Sequence, residues 1–209
     1  MSKHTEIELK LRCTDRRVWG KIMTTQLLTE ITVPESKKKQ LLEAHYFDTT
    51  IGSLQKEKLA YRIRREGEEW IATVKGGGTS CDGLHERQEW NMIVSDAQPN
   101  SKIFSGTDIG KKLIEVIGDQ TLVPILITRF ERTSLDVMMP DGSRIEVAAD
   151  EGIIMAGSKT TPILEVELEL KSGQTAAVIK LGAMLQGEYP LVPEDESKFY
   201  RGLKLAGLA

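Results

Sequence analysis

From Glu6 to Arg12 the chain alternates charged and apolar residues without a break: Glu6-Ile7-Glu8-Leu9-Lys10-Leu11-Arg12. In extended backbone, successive side chains point to opposite faces, so this run is a strand with one apolar face that packs and one densely charged face. The habit returns near the other end as Glu165-Val166-Glu167-Leu168-Glu169-Leu170. Between them, Arg62 shares a face with Arg64, Thr73 with Lys75, Arg87 with Glu89, and Glu146 with Asp150. A single strand of this kind is satisfied by a wetted outer face. Several are not, because like charges set opposite one another across neighbouring strands repel. The shared parity is reconciled if the charged faces converge inside a closed antiparallel sheet of about eight strands, around a polyanion and a divalent cation.

The 28 basic and 31 acidic residues leave a net charge of -3, which argues against a general nucleic-acid surface. No apolar run approaches the roughly 20 residues needed to span a bilayer, and the N-terminus lacks the apolar centre of a signal peptide. The expectation is a cytoplasmic protein with no membrane partner. Cys13 and Cys81 have no metal-ligand spacing around them and read as reduced thiols. At 209 residues the chain is long enough to bury one domain, residues 1–209.

Helical periods alternate with these strands, which places the fold in the α+β class with helices packed outside the barrel. Thr14-Asp15 can cap a helix through Val18, Trp19, Ile22, Met23 and Leu27. Lys37-Lys38-Lys39 reads as a solvated strand end, and Gly76-Gly77-Gly78 as a hairpin connection without the Lys-Ser or Lys-Thr of a phosphate loop. Ser95 to Ser105 is loop-like and leads into a helix through Ile109, Leu113 and Val116 that Gly118 ends, an inserted outer subdomain on this reading. Strands resume over Ile125–Thr128 and Ser134–Met139, turn at Pro140-Asp141-Gly142 and continue through Arg144 to Ala149. Thr175 to Gln186 forms a helix, and a last helical piece sets Lys198 and Arg201 on one face. His4, His45 and His85 occur singly, with no zinc spacing, although His4 and His85 are in phase with polar faces. Ser197 reads as a helix cap.

Taken in order, the Glu6-x-Glu8-x-Lys10 start, Tyr46-Phe47-Asp48-Thr49, Arg62-x-Arg64, Thr73-Val74-Lys75, Arg87-x-Glu89-Trp90, Glu146 through Asp150-x-Gly152, Glu165-x-Glu167-x-Glu169 and Ser197-Lys198-x-x-Arg201 resemble the CYTH superfamily, the triphosphate tunnel metalloenzymes. The segments Leu84 to Asn91 and Leu164 to Leu170 are most similar to its bacterial inorganic triphosphatase branch, whose better-known members carry an additional helical CHAD domain. These 209 residues hold no segment for that domain.

The resemblance implies hydrolysis of inorganic triphosphate to pyrophosphate and phosphate, aided by Mg²⁺ or Mn²⁺. Its alternatives within the fold are a class IV adenylate cyclase or a thiamine or nucleoside triphosphatase, and outside catalysis a polyphosphate-binding module. Such a substrate needs donors along its length, for which Arg62, Arg64, Lys75, Arg87, Arg129 or Arg132, Lys198 and Arg201 are candidates, since guanidinium forks grip phosphate oxygens in pairs. Glu8, Glu165 and Glu167 are the first candidates for the metal, with Glu6 joining them directly or through water. Lys10 resembles the family lysine that neutralises phosphate or aids catalysis. Glu146 and Asp150 fall in the strand that supplies further acidic residues, to hold a second cation or an attacking water together with Glu89 or Glu169.

Overall fold

The computed structural model describes residues 2–209, with side chains from Thr5 onward. His4 therefore has its side chain outside the described residues. The strands are β1 (Ser2–Cys13), β2 (Lys38–Thr49), β3 (Leu59–Glu66), β4 (Glu69–Cys81), β5 (Leu84–Val94), β6 (Leu122–Met138), β7 (Arg144–Ala156), β8 (Lys159–Ser172) and the short β9 (Leu191–Pro193). They lie in the order β5-β4-β3-β2-β6-β7-β8-β1, and β1 pairs back onto β5, closing an eight-stranded antiparallel barrel. Closure removes the free sheet edges. β9 continues the ladder along Leu11–Cys13, where β5 has run out.

Six α-helices are α1 (Trp19–Ile22), α2 (Gln26–Ile31), α3 (Ser53–Lys56), α4 (Asp108–Ile117), α5 (Thr175–Glu188) and α6 (Lys198–Ala206). The outward apolar parity of β1, β7 and β8 (Leu9, Leu11, Val147, Val166, Leu168) is covered by Val178, Leu181 and Leu185 of α5 and by Ile22 and Leu28 of α1 and α2. Each fully buried side chain of this kind contributes roughly 1.5–3 kcal/mol. On the other flank, Ile63, Val74 and Trp90 lie under Phe104 and under Ile109, Leu113 and Ile117 of α4. The 95–117 segment is thus a cover packed on the wall rather than a separate subdomain.

A third apolar cluster lies inside the barrel at one end, where Leu42, Ala44, Tyr46, Leu126, Phe130, Ile154 and Ile163 surround Leu203 of α6. This helix plugs that end. A Cβ on Gly202 would come within 2.5 Å of the Leu126 side chain, so glycine is what lets α6 approach the wall so closely. Ser197 caps the helix by accepting the Tyr200 N–H.

Three local expectations are corrected. The first helix is broken into a 3₁₀ turn capped by Asp15, then α1, then α2. The break falls at Thr24-Thr25, where the Thr24 hydroxyl bonds the Lys21 carbonyl and competes with the helical ladder. Gly76 to Ser80 is not a hairpin connection but part of β4, with a bulge between Gly76 and Gly78. A Cβ on Gly78 would sit 2.0 Å from the Glu86 carbonyl oxygen. The turn comes later, at Asp82-Gly83, both with positive φ, the geometry that a two-residue hairpin prefers. Finally, Ile125–Thr128 and all of Ser134–Met139 but its last residue belong to one strand, β6, whose middle looks interrupted because Arg132 points into a polar interior while Arg129 and Glu131 point to solvent.

Candidate active site

One parity of each barrel strand points inward and encloses a cavity of about 760 Å³ whose open mouth lies opposite α6. Its two walls differ in charge. On β3 and β6 stand Arg62, Arg64 and Arg132, joined by Lys75 on β4. On β1, β8 and β7 stand Glu6, Glu8, Glu169 and Glu146. Register aligns the acids: Glu8 is directly opposite Glu169, and Glu169 is directly opposite Glu146, so three neighbouring strands carry a transverse row of carboxylates.

Two neighbours in this row are electrostatically unlike. Burial alone would raise the Glu8 carboxyl, but Lys10 at 3.1 Å, with Lys75 and with Arg87 at 2.8 Å, holds it down at about 2. Glu169 is raised, by burial first and then by the charges of Glu6 and Glu146, which together outweigh Lys171 at 2.8 Å. Between the walls, Lys75 bridges Glu6 at 2.7 Å and Glu89 at 2.6 Å. The Arg62 Nε–H is buried without a hydrogen-bond partner among the described residues.

A second acidic group lies deeper. Ligand atoms of Asp150, Glu165 and Glu167 fall within 4.8 Å of one another, a spacing suited to a cation. The cation there is the Lys198 ammonium, 2.7 Å from Asp150, 2.9 Å from Glu167 and bonded to Glu165 as well. Arg132 donates two 2.7 Å bonds to Asp150 and another to Glu167, and Arg201 donates to Glu165. Burial opposes the Lys198 charge, yet Asp150, Glu165 and Glu167 raise its pKa well above the ordinary value.

Of the residues singled out from the sequence, Glu6, Glu8, Lys10, Arg62, Arg64, Lys75, Arg87, Glu89, Arg132, Glu146, Glu167, Glu169 and Lys198 line the one cavity. Asp150, Glu165 and Arg201 pack behind it in the Lys198 network. Arg129 does not join them: it is on the outer parity of β6, its side chain 56% exposed and paired with Glu43. His85 is buried and its Nε2 lies 2.9 Å from the Glu194 carbonyl oxygen; burial and Lys10 lower its pKa. Asp48 accepts N–H bonds from Thr49, Leu54 and Gln55, which fixes the turn from β2 into α3.

Lys38, Gln40, Tyr46, Glu66 and Lys171 also line the cavity. Simple continuation of the alternation would have found Glu66 after Arg64 and Lys171 after Glu169. Lys38 is the inward member of the Lys37–Lys39 run, its neighbour Lys39 pairing outside with Glu131. Tyr46 carries no charge pattern; it stacks on Phe199 of α6 at 5.3 Å.

Comparison with known proteins agrees with this geometry. The chain is 35% identical over 202 residues to an inorganic triphosphatase from Haemophilus influenzae, a match covering 96% of this chain and 54% of that protein. The chain thus spans about half the length of that curated relative. A proposed adenylyl cyclase from Hippeastrum, described as having a dominant triphosphatase activity, superposes with a TM-score of 0.63 at 19% identity, covering 94% of this chain and 95% of the other. A proposed adenylate cyclase from Bacillus halodurans gives 0.60 at 19% identity, covering 96% and 98%. At such identities these likenesses establish the barrel. The CYTH domain model matches residues 4–203, and the chain belongs to the CYTH domain family.

Proposed function

We propose that this chain hydrolyses inorganic triphosphate to pyrophosphate and orthophosphate inside the barrel, with Mg²⁺ or Mn²⁺. The observation that carries this reading is the pairing of a transverse carboxylate row with a wall of guanidinium and ammonium groups across a single cavity. A pure anion receptor has no use for the acidic wall. The donor set fits a hard divalent cation, because Glu6, Glu8, Glu146 and Glu169 offer only carboxylate oxygens. When bound there, such an ion would neutralise phosphate charge and make water easier to deprotonate.

Asp150, Glu165 and Glu167, attractive from spacing alone, serve another purpose on this reading: they fasten α6 through Lys198 and Arg201. Arg62, Arg64, Arg132 and Lys75 would hold the phosphate oxygens in line along the opposite wall. Glu89 is a weak candidate for general base, since Lys75 and Arg62 outweigh burial and keep its carboxyl well below the usual range; it positions those two cations instead. Glu169, directly opposite Glu8 and Glu146 in the row, is the other candidate to orient a water there.

The test is to incubate the protein with Mg²⁺ or Mn²⁺ and triphosphate or ATP and to separate the products. Pyrophosphate and phosphate are expected from triphosphate, with Glu8→Gln lowering the rate about 100-fold. Cyclic AMP as the main product from ATP would replace this reading with a cyclase. Binding without turnover would replace it with a polyphosphate receptor.

A further inference from the structure

Two rungs of the β4–β5 ladder stand side by side on the inner wall: Lys75 is directly opposite Glu89, and Thr73, two residues earlier, is directly opposite Asn91. Two hydrogen bonds join the rungs. The Thr73 hydroxyl donates to Asn91 Oδ1 at 2.7 Å, and Asn91 Nδ2 donates to Glu89 Oε1 at 2.7 Å. The other Glu89 oxygen lies 2.6 Å from Lys75 Nζ, which in turn donates to both Glu6 oxygens at 2.7 Å. Chemistry fixes the direction of this chain. Burial opposes the Glu89 charge, but Lys75 and Arg62 keep the group ionised, so it can only accept. The Asn91 amide must therefore turn its nitrogen to Glu89 and its oxygen to buried Thr73, whose hydroxyl has to donate.

We propose that Asn91, oriented by Thr73, is a positioning residue: it holds one Glu89 oxygen so that the other is aimed at Lys75, and thereby fixes the Lys75 ammonium between Glu6 and Glu89 beside the phosphates. This rests on the triphosphate reading of the cavity and adds to it two uncharged side chains that act through Glu89. A lysine ammonium ends a flexible four-carbon stem with rotatable donors, so its place depends on what holds its acceptors still. A carboxylate gripped only by that ammonium can turn and draw the lysine with it, whereas a second, directional bond from the amide removes that freedom. Asn91 continues the inward parity of Arg87 and Glu89 but needs no charge of its own. A carboxylate in its place would repel Glu89, and an aliphatic side chain would leave it unheld.

The test compares KM and kcat for triphosphate with Mg²⁺ in wild type, Asn91→Ala, Glu89→Ala and the double variant, and in Thr73→Val and Thr73→Ser. Asn91→Ala is expected to raise KM about tenfold with kcat within about twofold, because a displaced Lys75 loosens substrate and transition state alike. In the Glu89→Ala background the same change should add less than about twofold, as Asn91 then has nothing to hold. Thr73→Val should raise KM severalfold, and Thr73→Ser, which keeps the hydroxyl, should not. Because Thr73→Val nearly conserves shape, it carries the test if Asn91→Ala fails to fold. Unchanged KM in Asn91→Ala, an undiminished effect without Glu89, or equal losses in Thr73→Val and Thr73→Ser would overturn the positioning role and leave the triphosphatase reading standing. Wild type without triphosphate turnover would overturn both.

Discussion

At the scale of single residues, the account turns on which face of a strand a charge occupies. Arg62 and Arg129 are both arginines on barrel strands, but one is buried in the cavity with a free Nε–H and the other pairs with Glu43 in solvent. Arg62→Ala should weaken triphosphate binding by about 10- to 100-fold, the loss of a charge-assisted contact of roughly 1.5–3 kcal/mol. Arg129→Ala should leave it within twofold, as an exposed ion pair contributes about 0–1 kcal/mol to the fold and nothing to the site. Calorimetry on both variants checks the pair, and equal losses would contradict the inward assignment. The strict alternation in β1, β3 and β8 made this parity readable in advance. In β6, Arg129 and Arg132 differ in parity, and sequence alone offered no way to choose, because Phe130 inside and Glu131 outside reverse the charged-in, apolar-out pattern of the other barrel strands.

Among the elements, α6 carries the largest share of what spacing could not reveal. The sequence put Lys198 and Arg201 on one helical face, but not where that face docks. In the structure Lys198 supplies the positive charge shared by Asp150, Glu165 and Glu167, while Leu203 and Gly202 pack against the inner wall. A carboxylate row therefore looks the same in sequence whether it awaits a metal or already holds a lysine. Lys198→Met should destabilise the protein by about 3–5 kcal/mol, since it leaves buried carboxylates without their partner. Chemical denaturation checks this; a variant as stable as wild type would mean that α6 is a loosely held lid. The short-range signals of Ser197 and Gly118, by contrast, were legible, because caps depend on local geometry alone.

For the whole molecule, the interior is a charged lumen walled by apolar outer faces, and its stability depends on acid. Glu8 is depressed to about 2 from an ordinary 4.5, and Glu167 lies well below the same value because Lys198, Lys10 and Arg132 outweigh burial. Such groups stabilise the fold fully above pH about 4.5, and the contribution is lost as pH falls towards 2, where the unfolded chain has already taken up protons. Glu169, raised by burial and by like charge, acts in the opposite sense and softens the decline. The thermal midpoint should thus drop between pH 5 and pH 2.5; a flat profile would mean that the ion pairs are not formed in solution. Barrel closure was legible from shared parity, whereas the division of the acids into a fastening cluster and an open row depends on register between strands far apart in sequence. That division is tested most directly by anomalous diffraction from crystals soaked in Mn²⁺. The account predicts a peak at the row, beside the carboxylates of Glu8 and Glu169, with Lys198 still bonded to Asp150 and Glu165. A peak among Asp150, Glu165 and Glu167 with Lys198 displaced, or no peak in the cavity, would contradict it.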